Sequence, residues 1–168
     1  MDTYLQRARD EIQEATRGLT PGQIGRPVAG KWSIAEILEH LTLAFQVNAT
    51  GLEKALAARQ TRTRRPKAAE WLAGTLVIDA GYFPRARAPA AAVPRGSIPP
   101  ERSVATLLET LSVLDATLTR AAAAFGEDRP VLNHPYFAGL SVRRWRKFHW
   151  RHVRHHVRQL RALADSSD

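Results

Sequence analysis

Apolar residues recur at three- and four-residue steps in four long stretches of the chain, the spacing of one face of an α-helix. Leu5, Ala8, Ile12, Ala15 and Leu19 form the first stripe and predict a helix over 2–18. Thr20-Pro21-Gly22-Gln23 then reads as a short capped turn, with proline at the first helical position and glutamine three after threonine. The second stripe runs Ile37, Leu41, Ala44 or Phe45, Asn48, Leu52 and Leu56. It begins after the clearest start signal in the chain, the capping box Ser33-Ile34-Ala35-Glu36. Trp32 precedes this cap, and a hydrophobic staple predicts that it packs on Ile37.

A basic exit, Thr61 to Lys67, leads into a shorter helix expected from Ala68 to Asp79. Pro84, Pro89, Pro94, Pro99 and Pro100 then forbid a long helix across 81–100. A connection of that length is either a solvated link or a functional or subunit-covering loop. The third helix spans Glu101 to Phe125, with Val104, Leu107, Leu108, Leu111, Leu114, Leu118, Ala121 and Phe125 as its stripe and Gly126 as its stop. Pro130 and Pro135 bracket another loop, and Ser141 caps a fourth helix that runs to about Leu163. No strand pairing is expected. The fold class is therefore all-α. Four amphipathic helices close into a four-helix bundle with a long irregular crossover between the second and third, as a single domain over 1–168.

Composition narrows the chemistry. The chain has 168 residues and no cysteine. Disulfides, thiolate nucleophiles and thiolate metal ligands are thus excluded, and a metal must use nitrogen or oxygen donors. Any thiol chemistry needs a thiol brought by a substrate. No signal-like apolar stretch opens the chain and no run of eighteen apolar residues occurs, so no membrane span and a cytoplasmic location are expected. The net charge is +9, and residues 141–164 hold eight basic side chains and no acid. Arguments about polyanions therefore concern the fourth helix.

That helix carries four of the six histidines, His149, His152, His155 and His156. Trp145, His149, His152, His156, Leu160 and Leu163 share one stripe, while Arg143, Lys147, Arg151, Arg154, Arg158 and Arg161 form another that is expected to face water. His152 and His156, four apart, stand one turn apart on one face. Joined by a histidine from another helix, such as His40, the pair can bind a divalent transition metal with a coordination position left open. The alternative is a set of core histidines, each needing its own hydrogen-bond partner. His155 lies off the stripe, and His149 is about two turns from His156, so neither is expected as a ligand. The arginine stripe is either a solvating face or a phosphate-binding surface for nucleic acid.

Trp32-Ser33-Ile34-Ala35-Glu36-Ile37-Leu38-Glu39-His40-Leu41 resembles the start of the second helix in the DinB-like (YfiT-like) family. His134-Pro135-Tyr136-Phe137-Ala138-Gly139-Leu140-Ser141, Trp145 and His152-Val153-Arg154-His155-His156-Val157-Arg158-Gln159 resemble that family's last loop and helix. Residues 60–100 match only in length and proline content. The resemblance implies an up-down-down-up four-helix bundle that commonly binds a divalent metal, zinc or nickel foremost. By position it implies His40, His152 and His156 as the ligands. It also implies a homodimer, and a thiol-dependent S-transferase or a hydrolase acting on a small-molecule substrate, with a low-molecular-weight thiol as the cosubstrate.

No general base stands out. Glu36 is better explained as a cap, and His149 is a candidate proton relay or partner to a ligand. Gln159, Asn48, Glu109 and Asp115 are weaker candidates. Two other functions compete with the enzyme. One is a non-catalytic metal-binding or stress-response bundle, and the other is a basic nucleic-acid-binding module.

Overall fold

A computed structural model of the protein describes residues 1–84 and 87–165. Arg85 and Ala86, inside the expected crossover, and the last three residues lie outside the described part. Helix α1 (Thr3–Thr16) is capped by Asp2, whose carboxylate accepts from the Tyr4 amide. The short helix α2 (Pro21–Gly25) has the expected Thr20–Gln23 capping box. Helix α3 (Ile34–Ala57) opens on the Ser33–Glu36 box, with the two reciprocal hydrogen bonds at 3.2 and 2.7 Å. Helix α4 (Ala68–Gly74) runs on as a π-helical turn over Thr75–Asp79. Helix α5 (Pro100–Phe125) ends where Gly126 takes φ 92°, a conformation that favours glycine. Helix α6 (Val142–Asp165) closes the chain.

The molecule is thus mainly helical, with four long helices around one core. Helix α3 packs along α5 and α1 along α6. Leu5 and Ile12 of α1, Leu41, Phe45 and Leu52 of α3, Leu107, Leu111, Leu114 and Leu118 of α5, and Trp145, Val153 and Leu160 of α6 meet in that core. No helix among the described residues is long and apolar enough to cross a membrane.

Two expectations need correcting. The first is the absence of strands. An antiparallel hairpin, β1 (Pro130–His134) with β2 (Ala138–Ser141), precedes α6. Its three-residue loop is closed by Ala138 at φ 59° and by the Tyr136 amide donating to His134 Nδ1 at 3.1 Å. The turn position that usually signals itself with glycine is filled here by alanine. The hairpin packs on α3 at Gly51, where an added Cβ would meet both Leu132 methyl carbons at 3.0 Å.

The second correction is partial: Arg143, Arg154, Arg158 and Arg161 of the basic stripe are exposed as expected, but Lys147 and Arg151 are half-buried and the basic groups at the start of α6 engage the protein itself. Arg143 pairs with Asp128, Arg144 and Lys147 with Asp79, and Arg146 with Glu127 and Asp2. Arg151 donates to the Asp79 carbonyl and lies with Arg154 over the Trp150 ring. Acids at the cap of α1, in the π-turn and in the 126–129 loop reach back to this helix, and nothing within α6 itself locates them.

Trp145 is only 1% exposed, and its indole N–H donates to the Leu132 carbonyl at 3.3 Å. It therefore ties α6 to the hairpin as well as filling the core. Trp145→Ala should destabilise the fold by about 3–5 kcal/mol in chemical denaturation. An unchanged midpoint would contradict this role.

Candidate metal centre

Helix α3 brings His40 in on its seventh residue, and α6 brings His152 and His156 one turn apart. The three side chains meet. Their candidate ligand nitrogens all lie within 4.8 Å of one another. His152 Nε2 stands 3.2 Å from His40 Nε2 and 3.1 Å from His156 Nε2. Nitrogens bound at ~2.0–2.1 Å to one tetrahedral ion would stand ~3.3 Å apart. His40 and His156 are buried and His152 partly so.

The outer ring atoms fix the tautomers. His40 Nδ1 faces the Ala92 carbonyl at 2.7 Å, and a carbonyl only accepts, so Nδ1 carries the proton. His156 Nδ1 faces Gln159 Oε1 at 2.8 Å and carries the proton likewise. The Gln159 amide N–H lies 3.2 Å from His155 Nε2, consistent with that orientation. Both His40 and His156 therefore present bare Nε2 lone pairs to His152. A single N–H on His152 Nε2 can satisfy one of these contacts but not the other. Moreover, His152 Nδ1 is buried without a hydrogen-bond partner among the described residues. Converging lone pairs of this kind fit a cation, and three imidazoles suit zinc, nickel, copper or iron.

Burial keeps the rings neutral, the state a metal needs. Desolvation lowers the His40 pKa, partly offset by the Ala92 contact. Desolvation, then the neighbouring His156 and His40 charges, push His152 well below its ordinary value. Desolvation and His40 bring His156 down to about 3.

The surroundings are aromatic. Phe83 from the crossover lies nearly parallel to His152 at 5.9 Å and to His155 at 4.9 Å. Phe148 stacks on His152 at 5.5 Å. Trp32, expected on Ile37, has its ring 5.1 Å from that of His40. Trp32 also lines an open cleft of about 670 Å³, with Gly30, Lys31, Arg87, Ala88 and Val93. None of the three histidines lines this cleft or a second one bounded by Asp10, Glu11, Gln13, Glu14, Arg17 and Arg161; the first is joined to them through Trp32.

The superfamily profile described as the DinB superfamily matches residues 4–160, nearly the whole chain. The chain belongs to the DinB superfamily. No curated protein and no solved structure matches it. Membership agrees with the resemblance of the two terminal motifs, and the buried three-histidine group is where those motifs meet.

Of the other candidates, Gln159 holds His156 and His155 lies beside it, its ring 5.0 Å from that of His156. Glu36 is held in its cap. Asn48 donates to the Ala44 carbonyl, Asp115 accepts from the Asp2 amide, and Glu109 is exposed. His155 is half-buried and stacked on Phe83. His149 is fully buried between Phe45, Trp145 and Phe148, and neither ring nitrogen has a hydrogen-bond partner among the described residues. Sequence reasoning passed over Phe83, Glu39 and the crossover carbonyl at Ala92. Glu39 alone left a trace, as a charged residue beside the second-helix stripe.

His149 and His134 set an acid limit on the fold. Desolvation, then the His134 charge, lower His149 to about 3, and desolvation lowers His134 to about 4. In the unfolded chain both take up protons below their ordinary value of about 6.5. The stability their neutrality supplies is therefore complete above that pH and is lost as pH falls toward the folded values, by up to about 1.4 kcal/mol per pH unit for each ring. Melting curves of metal-free protein between pH 7 and pH 4.5 should show this loss, with a shallower slope in His149→Leu. Equal slopes in the two proteins would contradict the assignment.

Proposed function

We propose that the protein is a divalent-metal-dependent enzyme whose ion is held by His40, His152 and His156. On this reading it acts as a thiol-dependent S-transferase or a hydrolase. The observation that carries the reading is the convergence of His40 and His156 Nε2, both without protons, on His152 Nε2 at 3.2 and 3.1 Å. A divalent ion with one position free lowers the pKa of a water or thiol placed there and polarises an electrophile. The chain supplies the rest. The Ala92 carbonyl orients His40 and Gln159 orients His156. Phe83, Phe148 and Trp32 pack on the rings, and the cleft lined by Lys31, Trp32 and Arg87 is the proposed approach for a small substrate.

Among the described residues, Glu36 is spent on the helix cap and Glu39 on the crossover, so neither carboxylate next to His40 in sequence is free to act as general base. Nucleophile activation then rests on the ion. With no cysteine present, a thiol nucleophile must be a cosubstrate. Zinc or nickel is the proposed metal. The up-down-down-up order of the long helices, action as one domain over 1–168, a homodimer and a cytoplasmic location belong to the same proposal. A nucleic-acid role is less favoured because four of the eight α6 basic groups, Arg143, Arg144, Arg146 and Lys147, are paired to Asp2, Asp79, Glu127 and Asp128.

Metal analysis should find one ion per chain. His40→Ala, His152→Ala and His156→Ala should each lose it, and His149→Leu and His155→Ala should keep it. Stoichiometric metal in His152→Ala, or its loss in His155→Ala, would contradict the ligand set. In a screen pairing cellular low-molecular-weight thiols with a reactive electrophile, conjugation should vanish with chelator or with His152→Ala and return to the parent on adding zinc or nickel. Metal binding with no turnover of any thiol or hydrolysable substrate would favour the non-catalytic reading.

A further inference from the structure

The residue before His40 is a buried carboxylate that faces away from the histidines. Glu39 is 1% exposed. Its Oε1 accepts from the amides of Arg95 and Ser97 at 3.2 and 3.1 Å and from the Ser97 hydroxyl at 2.6 Å, and its Oε2 accepts from the Gly96 amide at 2.8 Å. No ion pair to Glu39 occurs among the described residues. The charge is balanced by three successive backbone N–H groups, an anion nest formed where Gly96 takes φ 69°. Four donors on one carboxylate call for an acceptor-only group. An amide would turn its own N–H₂ toward at least one of them.

The same stretch of crossover supplies the Ala92 carbonyl to His40 Nδ1. Consecutive residues of α3 thus hold the crossover at two points, 92 and 95–97. A carbonyl belonging to a loop without long helices can fix a ring only if the loop itself is fixed, and Glu39 holds it three to five residues beyond that carbonyl, with Tyr136 holding the Arg87 carbonyl on the other side. We infer that Glu39 is the positioning residue of the histidine site: by clamping the crossover it locks His40 in the Nδ1–H form and so aims the Nε2 lone pair at the ion. The inference rests on the metal reading above for its consequence, though its geometric half stands on Glu39, Ala92 and His40 alone. Because linkage is reciprocal, metal binding should also tighten the crossover.

The test compares the parent with Glu39→Gln and Ser97→Ala. Zinc affinity is measured by competition with a chromophoric chelator, and the His40 tautomer by imidazole ¹⁵N NMR of the metal-free proteins. Glu39→Gln should bind zinc ~10–100-fold more weakly, the usual effect of losing a group that orients a ligand. His40 should pass from Nδ1–H to a mixture of tautomers, while His156 keeps Nδ1–H through Gln159. Ser97→Ala, which loses one donor of four, should move both readouts the same way but less. If Glu39→Gln does not fold, Ser97→Ala decides. Parental zinc affinity, or weaker binding with His40 still wholly Nδ1–H, would overturn the inference, the second because it would mean general loosening. A parent that binds no zinc would count against the metal reading instead, and the tautomer comparison would then decide the clamp by itself.

Discussion

Two imidazole lone pairs aimed at a third imidazole nitrogen across about 3 Å cannot all be satisfied by protons. The rest of the architecture serves that constraint. The Ser33–Glu36 box fixes where α3 begins and hence the face on which His40 lies. The four-residue spacing on α6 supplies the other two rings. Two long helices hold these three side chains in register, and the core beneath them, from Leu41 and Phe45 across to Trp145 and Val153, keeps the helices from sliding.

The connecting segments complete the arrangement. The crossover brings a carbonyl to His40, a carboxylate nest around Glu39 and the Phe83 ring to His152. It is a wall of the site as well as a link between helices. The hairpin acts one layer further out. It buries His134 against Phe137 and Phe148, and Phe148 in turn stacks on His152. Some of the basic groups of α6 also engage the protein itself. Those near its start bind Asp79, Asp128, Glu127 and Asp2, which anchors the π-turn, the 126–129 loop and the chain's first residues to the helix that carries two of the histidines.

The sequence made legible whatever depends on short range. Helix starts were readable because Thr20–Gln23 and Ser33–Glu36 state their caps within four residues. The α3, α5 and α6 stripes were readable because burial on a helix repeats. His152 and His156 announced themselves by spacing. What stayed hidden depends on long-range pairing. Nothing near Pro130 or Ala138 signals a hairpin, since the strands have five and four residues and the left-handed position is an alanine. Trp32 packs on the core as a staple residue does, while its contact with His40, eight residues on, has no local signal. The arginine face is exposed along most of its length, and only its Lys147 and Arg151 turn to Asp79, which is remote in sequence. The partners of Glu39 lie more than fifty residues on, in a segment whose prolines advertise only the lack of a helix.

X-ray absorption at the metal edge of zinc-reconstituted protein tests the central claim most directly, because it counts the imidazoles on the ion. The account predicts three histidine nitrogens at ~2.0–2.1 Å together with at least one further light-atom ligand at the open position. An ion held by one or two imidazoles, or by carboxylates alone, would contradict it.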